Sequence, residues 1–375
     1  LLKQLAVELS YRGDYGRCRA LDDEAVEIAR RLGDPATLLH VLIRGQAGCW
    51  GPDTLGQRLA ASREAVQLAE EVGDPTAACW AYTDLAAAAF GAVNLDEADR
   101  AARRRDELAE QSGQPVQRWR TKVMQSARVL LGGDPAGAEA LASEALQIGK
   151  ESGQPDAMSG YVINICSIRW HQGKPNEFIP ALEKTLAAFS TKHGFYGMLA
   201  RSCLDAGDDD RARELVAFGT PGGFNPPWDI DWLVTMAMWA DAVVRLRDAD
   251  AAAVIYERLA PWHGQVVMVP SMVDSCVDHY LGALAAVLGD PDRARAHFEE
   301  AAGIHGALRA PFHVARTQLG WARALLAAGG PAEAEEARRL LEEAVSTAHR
   351  HGYALLVSEG EELSSSGGRR SSAGP

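Results

Sequence analysis

The sequence predicts an all-α protein, a right-handed α-solenoid of about nine helix pairs with a period of roughly 40 residues. The first observation behind this prediction is the composition. The 375 residues are 47% hydrophobic but only 7% aromatic, which suits many small contacts between helices better than a few bulky cores. The second observation is a glycine-containing tripeptide that recurs every 40 residues, at positions 33–35, 73–75, 113–115 and 153–155.

The recurring tripeptide, Gly-Asp-Pro or Gly-Gln-Pro, has the residues that end one helix and start the next. Glycine adopts the left-handed conformation that terminates a helix, aspartate caps the following helix, and proline at the first helical position loses no hydrogen bond. A second break, about 17 residues after each tripeptide, divides every unit into two helices, as at residues 132–135 (GGDP). Because one such pair cannot bury its apolar face alone, neighbouring pairs must stack into a continuous core.

The predicted array spans residues 1–363, and its later part is less regular than its beginning. Gly194 and Gly352 are predicted to end repeat units. Residues 219–229 and 261–271 are rich in glycine, proline and tryptophan, which predicts two long loops between helices. Residues 364–375 contain no apolar side chain able to anchor them, so we expect a disordered tail.

The residues around the turn at Gly289 carry a family resemblance. A Leu-Gly pair at positions 281–282 precedes this glycine, and Ala294, Phe298 and Ala301 follow it. This order resembles the tetratricopeptide repeat, whose units are somewhat shorter, at roughly 34 residues. The resemblance implies helix pairs in which small residues let the two backbones approach closely.

Longer stretches resemble the C-terminal repeat region of large bacterial signalling ATPases, which also carry an adenylate or guanylate cyclase domain or a LuxR-type DNA-binding domain. The resemblance implies a sensor that reports a bound ligand or partner to the attached ATPase. The stretches are residues 30–35 (RRLGDP), 50–54 (WGPDT), 231–233 (DWL), 255–261 (IYERLAP), 280–285 (YLGALA) and 297–301 (HFEEA).

The catalytic parts of such proteins are absent from this sequence. It contains no GxxxxGK[ST] phosphate loop, no βαβ alternation and no DNA-reading helix-turn-helix, so the ATPase, cyclase and DNA-binding activities do not carry over. The chain begins with Leu1 rather than methionine. We therefore expect a sensor part, or a decayed remnant, of a longer protein whose output domains lie outside this chain.

The net charge of −13 argues against nucleic acid or an anionic membrane surface as a direct partner. No apolar run reaches the roughly 18 residues of a membrane span, and no secretion signal is visible. The six cysteines lack close Cys or His partners, which is typical of reduced core residues in a cytoplasmic protein. We expect no metal site and no cofactor.

The second predicted loop and the residues after it contain one group of candidate ligand-binding residues. If this loop folds onto the concave face, Trp262 and His263 line a small-molecule pocket. Asp274 and Asp278 would then lie one helical turn apart on the following helix, beside His279. The alternative is that Trp262 fills the core after a chain reversal and that the two aspartates are solvated.

The first predicted loop supplies Trp228 and Trp232 as candidate anchors for a ligand or partner, although aromatics at this spacing also fill cores. A basic run offers a third candidate surface. Residues 100–128 contain eight cations against three carboxylates, and Arg103 and Arg104 at its centre could dock an acidic partner or a phosphate. The alternative for this run is a solvated helix face.

These observations predict a non-enzymatic module that binds a protein, a peptide or a small effector molecule and shifts between curvatures of the array. A sensor arm of a bacterial signalling or transcription-regulating ATPase is favoured over an independent scaffold or adaptor protein. A third hypothesis is an enzyme with its site at the bend of residues 219–280. It requires a converging acid and base, and the sequence shows no such pair.

Overall fold

The protein is a stack of α-helical pairs with one β-hairpin inserted into it. The computed structural model describes residues 1–11, 14–44, 50–188 and 193–371. In this part of the chain nine consecutive helix pairs, α1/α2 to α17/α18, are followed by α19, which confirms the all-α solenoid. The helices are α1 (Leu2–Tyr11), α2 (Tyr15–Leu32), α3 (Pro35–Arg44), α4 (Leu55–Val72), α5 (Pro75–Gly91), α6 (Leu95–Ser112), α7 (Pro115–Leu131), α8 (Pro135–Glu151), α9 (Ala157–His171), α10 (Ile179–Ala188), α11 (His193–Asp205), α12 (Asp209–Ala217), α13 (Trp232–Leu246), α14 (Ala249–Leu259), α15 (Val277–Val287), α16 (Pro291–Ala307), α17 (Pro311–Ala328), α18 (Pro331–His351) and α19 (Ala354–Ser371).

The recurring tripeptide forms the turn between two helices that its residues predict. Gly33, Gly73 and Gly113 follow the last residues of α2, α4 and α6 in the left-handed conformation, with φ of 69°, 72° and 61°. Asp74 caps α5 by accepting two backbone N–H groups at 2.9 and 3.0 Å, and Pro75 is the first residue of that helix. The 40-residue period is therefore the spacing between the ends of successive second helices.

The pair α15/α16 packs as closely as the residue pattern around Gly289 predicts. A Cβ atom added to Gly282 would lie 3.0 Å from the ring of Phe298, which is fully buried. Ala294 and Ala301 of α16 are also buried, at 1% and 0% exposure. The missing side chain at position 282 is thus what admits the aromatic ring between the two helices.

The stack winds into a superhelix whose inner layer is made by the first helix of each pair. Consecutive first helices such as α13, α15 and α17 contact one another, whereas adjacent second helices in the described part of the chain make weaker contacts. Helices on the smaller radius of a curved stack must lie closer together, so the first helices face inward. The interior of the superhelix is called the lumen below.

Two hydrogen bonds join the N-terminal helices to the C-terminal half of the stack. Tyr15 donates a hydrogen bond to Asp229, 214 residues away, at 2.9 Å. Gln265 donates to the carbonyl of Pro52, 213 residues away, at 3.0 Å. Together with the hydrogen bond from Trp228 to Asp53, 175 residues away, these contacts show that the two parts of the stack lie against each other. We call α1–α8 the first turn and α9–α19 the second turn.

The hairpin joins α14 to α15 and consists of β1 (Val266–Val269) and β2 (Met272–Cys276), which pair antiparallel with a bulge beside Met268. It contacts α5, α7, α9 and α13, all of them first helices, and also α16. It therefore lies on the inner side of the superhelix. A two-stranded hairpin is marginal in water, and burial of all four β1 residues stabilises this one.

The structure differs from the sequence-based expectations in three segments. The second predicted long loop, 261–271, is largely β1 and the turn of the hairpin, whereas 219–229 is a loop containing a short 3-10 helix at Thr220–Gly222. Gly194 lies inside α11 rather than at a unit end, while Gly352 does end α18. In the segment predicted to be disordered, 364–375, α19 continues through Ser371, and residues 372–375 lie outside the described residues.

Five of the cysteines are buried with free thiols. They are Cys18, Cys79, Cys166, Cys203 and Cys276, while Cys49 lies outside the described residues. None of the described helices combines the length and the apolarity needed to cross a bilayer.

Candidate functional site

The tip of the hairpin and the helices α5–α7 enclose a pocket in the lumen. Its cavity volume is about 150 Å³, enough for a benzene-sized group, and the cavity opens to solvent. The helices supply mainly alanines and Phe90, and the hairpin closes the pocket with Met268, Val269, Pro270 and Val273. We call this space the lumen pocket.

One end of the lumen pocket is polar. Arg105, only 3% exposed, donates from Nε and Nη2 to the same oxygen of Asp106, at 2.8 and 2.6 Å. Gln125 donates to the other oxygen of Asp106 at 2.7 Å. The Nη1 atom of Arg105 instead faces the thioether sulfur of Met124 at 3.3 Å, a weak acceptor for a buried guanidinium.

A second ion pair at the polar end joins neighbouring helices. Arg128 of α7 donates from Nε and Nη2 to the two oxygens of Asp99 on α6, at 3.1 and 3.3 Å. Both side chains are about one-third exposed, so this pair lies nearer the pocket mouth than Arg105 does. The lumen pocket therefore has an apolar body and an arginine-containing end.

The base of the hairpin is held by a buried ion pair. Asp274 of β2, 1% exposed, accepts a hydrogen bond from Arg201 of α11 at 2.7 Å and another from the hydroxyl of Tyr280 on α15. Burial raises the pKa of Asp274, but the guanidinium groups of Arg201 and Arg316 outweigh it and leave the pKa below its ordinary value. The carboxylate is thus kept ionised in the interior, where it fixes the hairpin to two helices.

The ionic network extends from the hairpin into α9, α13 and α17. Arg316 of α17 donates to the Tyr280 hydroxyl at 3.0 Å and to Asp241 of α13. The guanidinium carbons of Arg201 and Arg316 also lie 4.1 and 5.0 Å from the ring centre of Trp170 on α9. The two cations are therefore balanced by two carboxylates and an aromatic face.

A group of uncharged histidines lies beside this network. His279 and His305 each bond through Nδ1 to the hydroxyl of Thr317 at 3.0 Å, and His305 Nε2 bonds to the hydroxyl of Ser275 at 3.1 Å. Burial lowers the pKa of His305 to about 3 and that of His279 well below its ordinary value. Ser275 and His305 have the spacing of a nucleophile and its base, but both are 1% exposed, and His305 bonds to a threonine rather than a carboxylate.

The aromatic residues predicted from the first and second loops come together in the structure. The rings of Trp228 and Trp232 are 4.5 Å apart, and those of Trp228 and Trp262 are 5.6 Å apart. Trp228 also donates to Asp53 of the first turn at 3.2 Å, and Asp53 is paired with Arg19. Trp228 thus links the first predicted loop to the first turn, and none of the three tryptophans lines the lumen pocket.

The two predicted aspartates do not lie on one helix. Asp274 lies on β2, whereas Asp278 lies in the first turn of α15 and accepts from the backbone of Gly264 at 2.6 Å and from His297 at 2.9 Å. The alternative of a solvated acidic face is also wrong, because each aspartate is 1% exposed. Next to them, His263 is exposed.

The basic run is mostly paired within the protein. Arg104 is exposed and forms an ion pair with Glu107 at 2.7 Å, and Arg103 is exposed on the same helix. Four further cations of the run bind carboxylates. These pairs are Arg105–Asp106, Arg118–Glu110, Lys122–Glu144 and Arg128–Asp99. Asp106, Glu107 and Glu110 belong to the run itself, so the outside partners Asp99 and Glu144 lower its charge excess only from five to three.

Sequence reasoning missed the residues that build the lumen pocket and the buried network. Arg105 and Arg128 were visible in the basic run, but their inward orientation depends on the superhelix. The short apolar run 266–269, rich in valine and followed by a proline, was the available signal for a buried strand. Arg201 and Arg316 carry no signal, because each is a single arginine in an ordinary helical pattern.

Comparison with known proteins adds no family assignment. No family model matches this chain, and no curated protein matches it. Among solved structures, the chain is similar to a "circular tandem repeat protein with novel repeat topology and enhanced subunit contact surfaces". That likeness has 14% identity, covers 99% of this chain and 91% of the other, and has a TM-score of 0.20, so it carries no argument here. Among the described residues, no group of three or more His, Cys, Asp or Glu side chains could hold a metal ion.

Proposed function

We propose that this chain is a non-enzymatic ligand-sensing repeat module that binds a small effector in the lumen pocket. The helical repeat scaffold is of the kind that recognises other molecules on its inner surface. In this chain the hairpin fills part of that surface. The observation that carries the proposal is that the hairpin and α5–α7 line an apolar pocket with an arginine-containing end, where an open superhelix would offer a groove for a peptide.

The hairpin also provides a route for the signal. Its tip forms one wall of the lumen pocket, and its base is bonded through Asp274 to α11 and α15 of the second turn. A ligand that favours one position of the hairpin shifts the population of second-turn conformations by its differential affinity for them. Attached domains outside this chain would read that shift, in keeping with the resemblance to bacterial signalling ATPases.

The binding step is tested with N-phenyl-1-naphthylamine, a neutral probe that fluoresces in apolar sites. We expect saturable binding of one probe per chain. Ala102 is half-buried on α6 and lines the pocket, so Ala102→Phe should fill the space and weaken probe binding at least tenfold. Ala61→Phe, at a half-buried alanine of α4 outside the pocket, is the matched control and should bind the probe as the wild type does.

The transmission step needs its own readout. Probe binding should slow amide hydrogen exchange in residues 266–276 and in α11 and α15, because the hairpin is bonded to both helices. Slowed exchange confined to α5–α7 would contradict a sensing role while leaving the pocket in place. Equal probe binding by the wild type and Ala102→Phe would refute the pocket itself.

The coding sequence upstream of Leu1 distinguishes a sensor arm from an independent scaffold. A phosphate-loop coding sequence upstream of Leu1 and in frame with it supports the sensor arm. A start codon directly before Leu1, preceded by an in-frame stop codon, would instead support an independent scaffold or adaptor protein.

A further inference from the structure

We infer that the ligand of the lumen pocket is an amphipathic acid, a molecule with an apolar body and a single carboxylate, which binds with the carboxylate at Arg105 and Arg128. This inference rests on the proposed function, since it names the chemical class of ligand for the same pocket. It follows from three features of the pocket: an under-satisfied buried donor, a second arginine beside it, and an apolar remainder.

The under-satisfied donor is Nη1 of Arg105. The guanidinium has five N–H groups, and Asp106, its one carboxylate partner among the described residues, takes two of them through Nε and Nη2. Nη1 meets the thioether of Met124, although the side chain is only 4% exposed and cannot turn to water. A buried charged donor that lacks a strong acceptor is costly, so an anionic oxygen at this place gains more than it would on the surface.

The second arginine supplies further donors at the pocket mouth. Asp99 occupies Nε and Nη2 of Arg128, while Nη1 of Arg128 makes no hydrogen bond to any residue that the structure describes. The two carboxylates at this end of the pocket are already ion-paired. Asp106 accepts three hydrogen bonds and Asp99 accepts two, so a cationic head group would have to compete with an arginine for each of them.

The rest of the wall is apolar and has no charge to offer. Phe90 and Val129 lie on the helix side, and Met268 and Val273 lie on the hairpin side. Burial of an aliphatic or aromatic body against these side chains supplies the bulk of the affinity, at an amount proportional to the buried area. The polar end then fixes the orientation of the ligand and discriminates between head groups.

The test is displacement of N-phenyl-1-naphthylamine by three ten-carbon molecules that share one apolar body: decanoate, decanol and decylammonium. We expect decanoate to displace the probe at a concentration about tenfold or more below that of the other two, since charge-assisted hydrogen bonds are the stronger ones. Arg128→Gln should remove most of that preference and leave displacement by decanol unchanged. Arg103→Gln, an exposed arginine on α6 outside the pocket, is the control and should change nothing.

A second variant addresses Arg105 without removing it. Met124→Glu, at a half-buried position, places a carboxylate beside Nη1 and should abolish the preference for decanoate while decanol still displaces the probe. Equal displacement by all three compounds, or a preference for decylammonium, would overturn the inference about the acid and leave the pocket standing. Failure of the wild type to bind the probe at all would instead refute the proposed function.

Discussion

Two sets of ion pairs, one on the outside of the first turn and one around the hairpin of the second turn, differ in burial. In the first turn, Arg30–Glu64 and Arg63–Glu97 join successive second helices on the outside, and each pair is 34 residues apart in sequence. In the second turn, Arg201–Asp274 bonds the hairpin to α11, Arg316–Asp241 bonds α17 to α13, and both pairs are enclosed. Repetition explains the outer pairs, because the same contact recurs between α2 and α4 and between α4 and α6.

The enclosed arrangement of the second turn is not produced by repetition. It costs desolvation of four charges, and two well-packed apolar side chains are often at least as stable as a buried ion pair. Natural proteins depart from well-packed apolar cores mainly at functional or strained sites, so this buried network is expected to be one. This difference in burial thus indicates that the hairpin and its ion pairs are what distinguish this protein from a regular helical array.

The largest effect is expected from removing the carboxylate at the hairpin base. Asp274→Ala leaves Arg201 buried without its counter-charge, and breaking a buried pair in this way costs about 3–5 kcal/mol of unfolding free energy. Urea unfolding measures the change. Glu64→Ala, which breaks an exposed pair of the first turn, is the comparison and should cost no more than about 1 kcal/mol. Equal losses in the two variants would remove the distinction between the turns.

Acidification should act oppositely on one group in each turn. Burial lowers the pKa of His305 in the second turn to about 3, below its ordinary value of 6.5, so the unfolded chain binds this proton first and stability falls as pH drops below about 6.5. Burial raises the pKa of Asp84 in the first turn to about 7 against the opposing effect of Arg120. The folded chain therefore binds that proton first, and this group adds stability as pH drops from 7 toward 4.

The pH prediction is checked by urea unfolding at pH 7 and pH 5. His305→Asn should reduce the loss of stability between these values by about 2 kcal/mol, because a proton that only the unfolded state binds is no longer available. Asp84→Asn should enlarge the loss, since a stabilising proton uptake is removed. A shift of the same sign in both variants would show that the two groups do not differ in the way their surroundings indicate.

The repeat was predictable from sequence and the hairpin was not, for one physical reason. Gly33, Gly73 and Gly113 act through local backbone geometry, which four consecutive residues largely determine, so the helix ends could be placed correctly. Asp274 acquires its role from Arg201, 73 residues away, and no short-range pattern joins them. The lumen pocket likewise needs the two turns in place before the hairpin and α5–α7 can meet.

The smallest effect is expected from the exposed ion pairs, and it tests the first-turn side of the comparison. Arg63 donates from Nε and Nη2 to the two oxygens of Glu97, at 2.8 and 2.6 Å, an ideal geometry for a pair whose arginine is about half exposed. A double-mutant cycle of Arg63→Ala and Glu97→Ala should give only a small coupling that weakens at high salt, because solvent screens the charges and ordering the side chains costs entropy. The equivalent cycle of Arg201→Met and Asp274→Leu in the second turn should give a coupling several times larger and little changed by salt, since water is excluded there. If the Arg63–Glu97 coupling were as large as that of Arg201–Asp274, the exposed ion pairs would stabilise the fold as much as the buried network does.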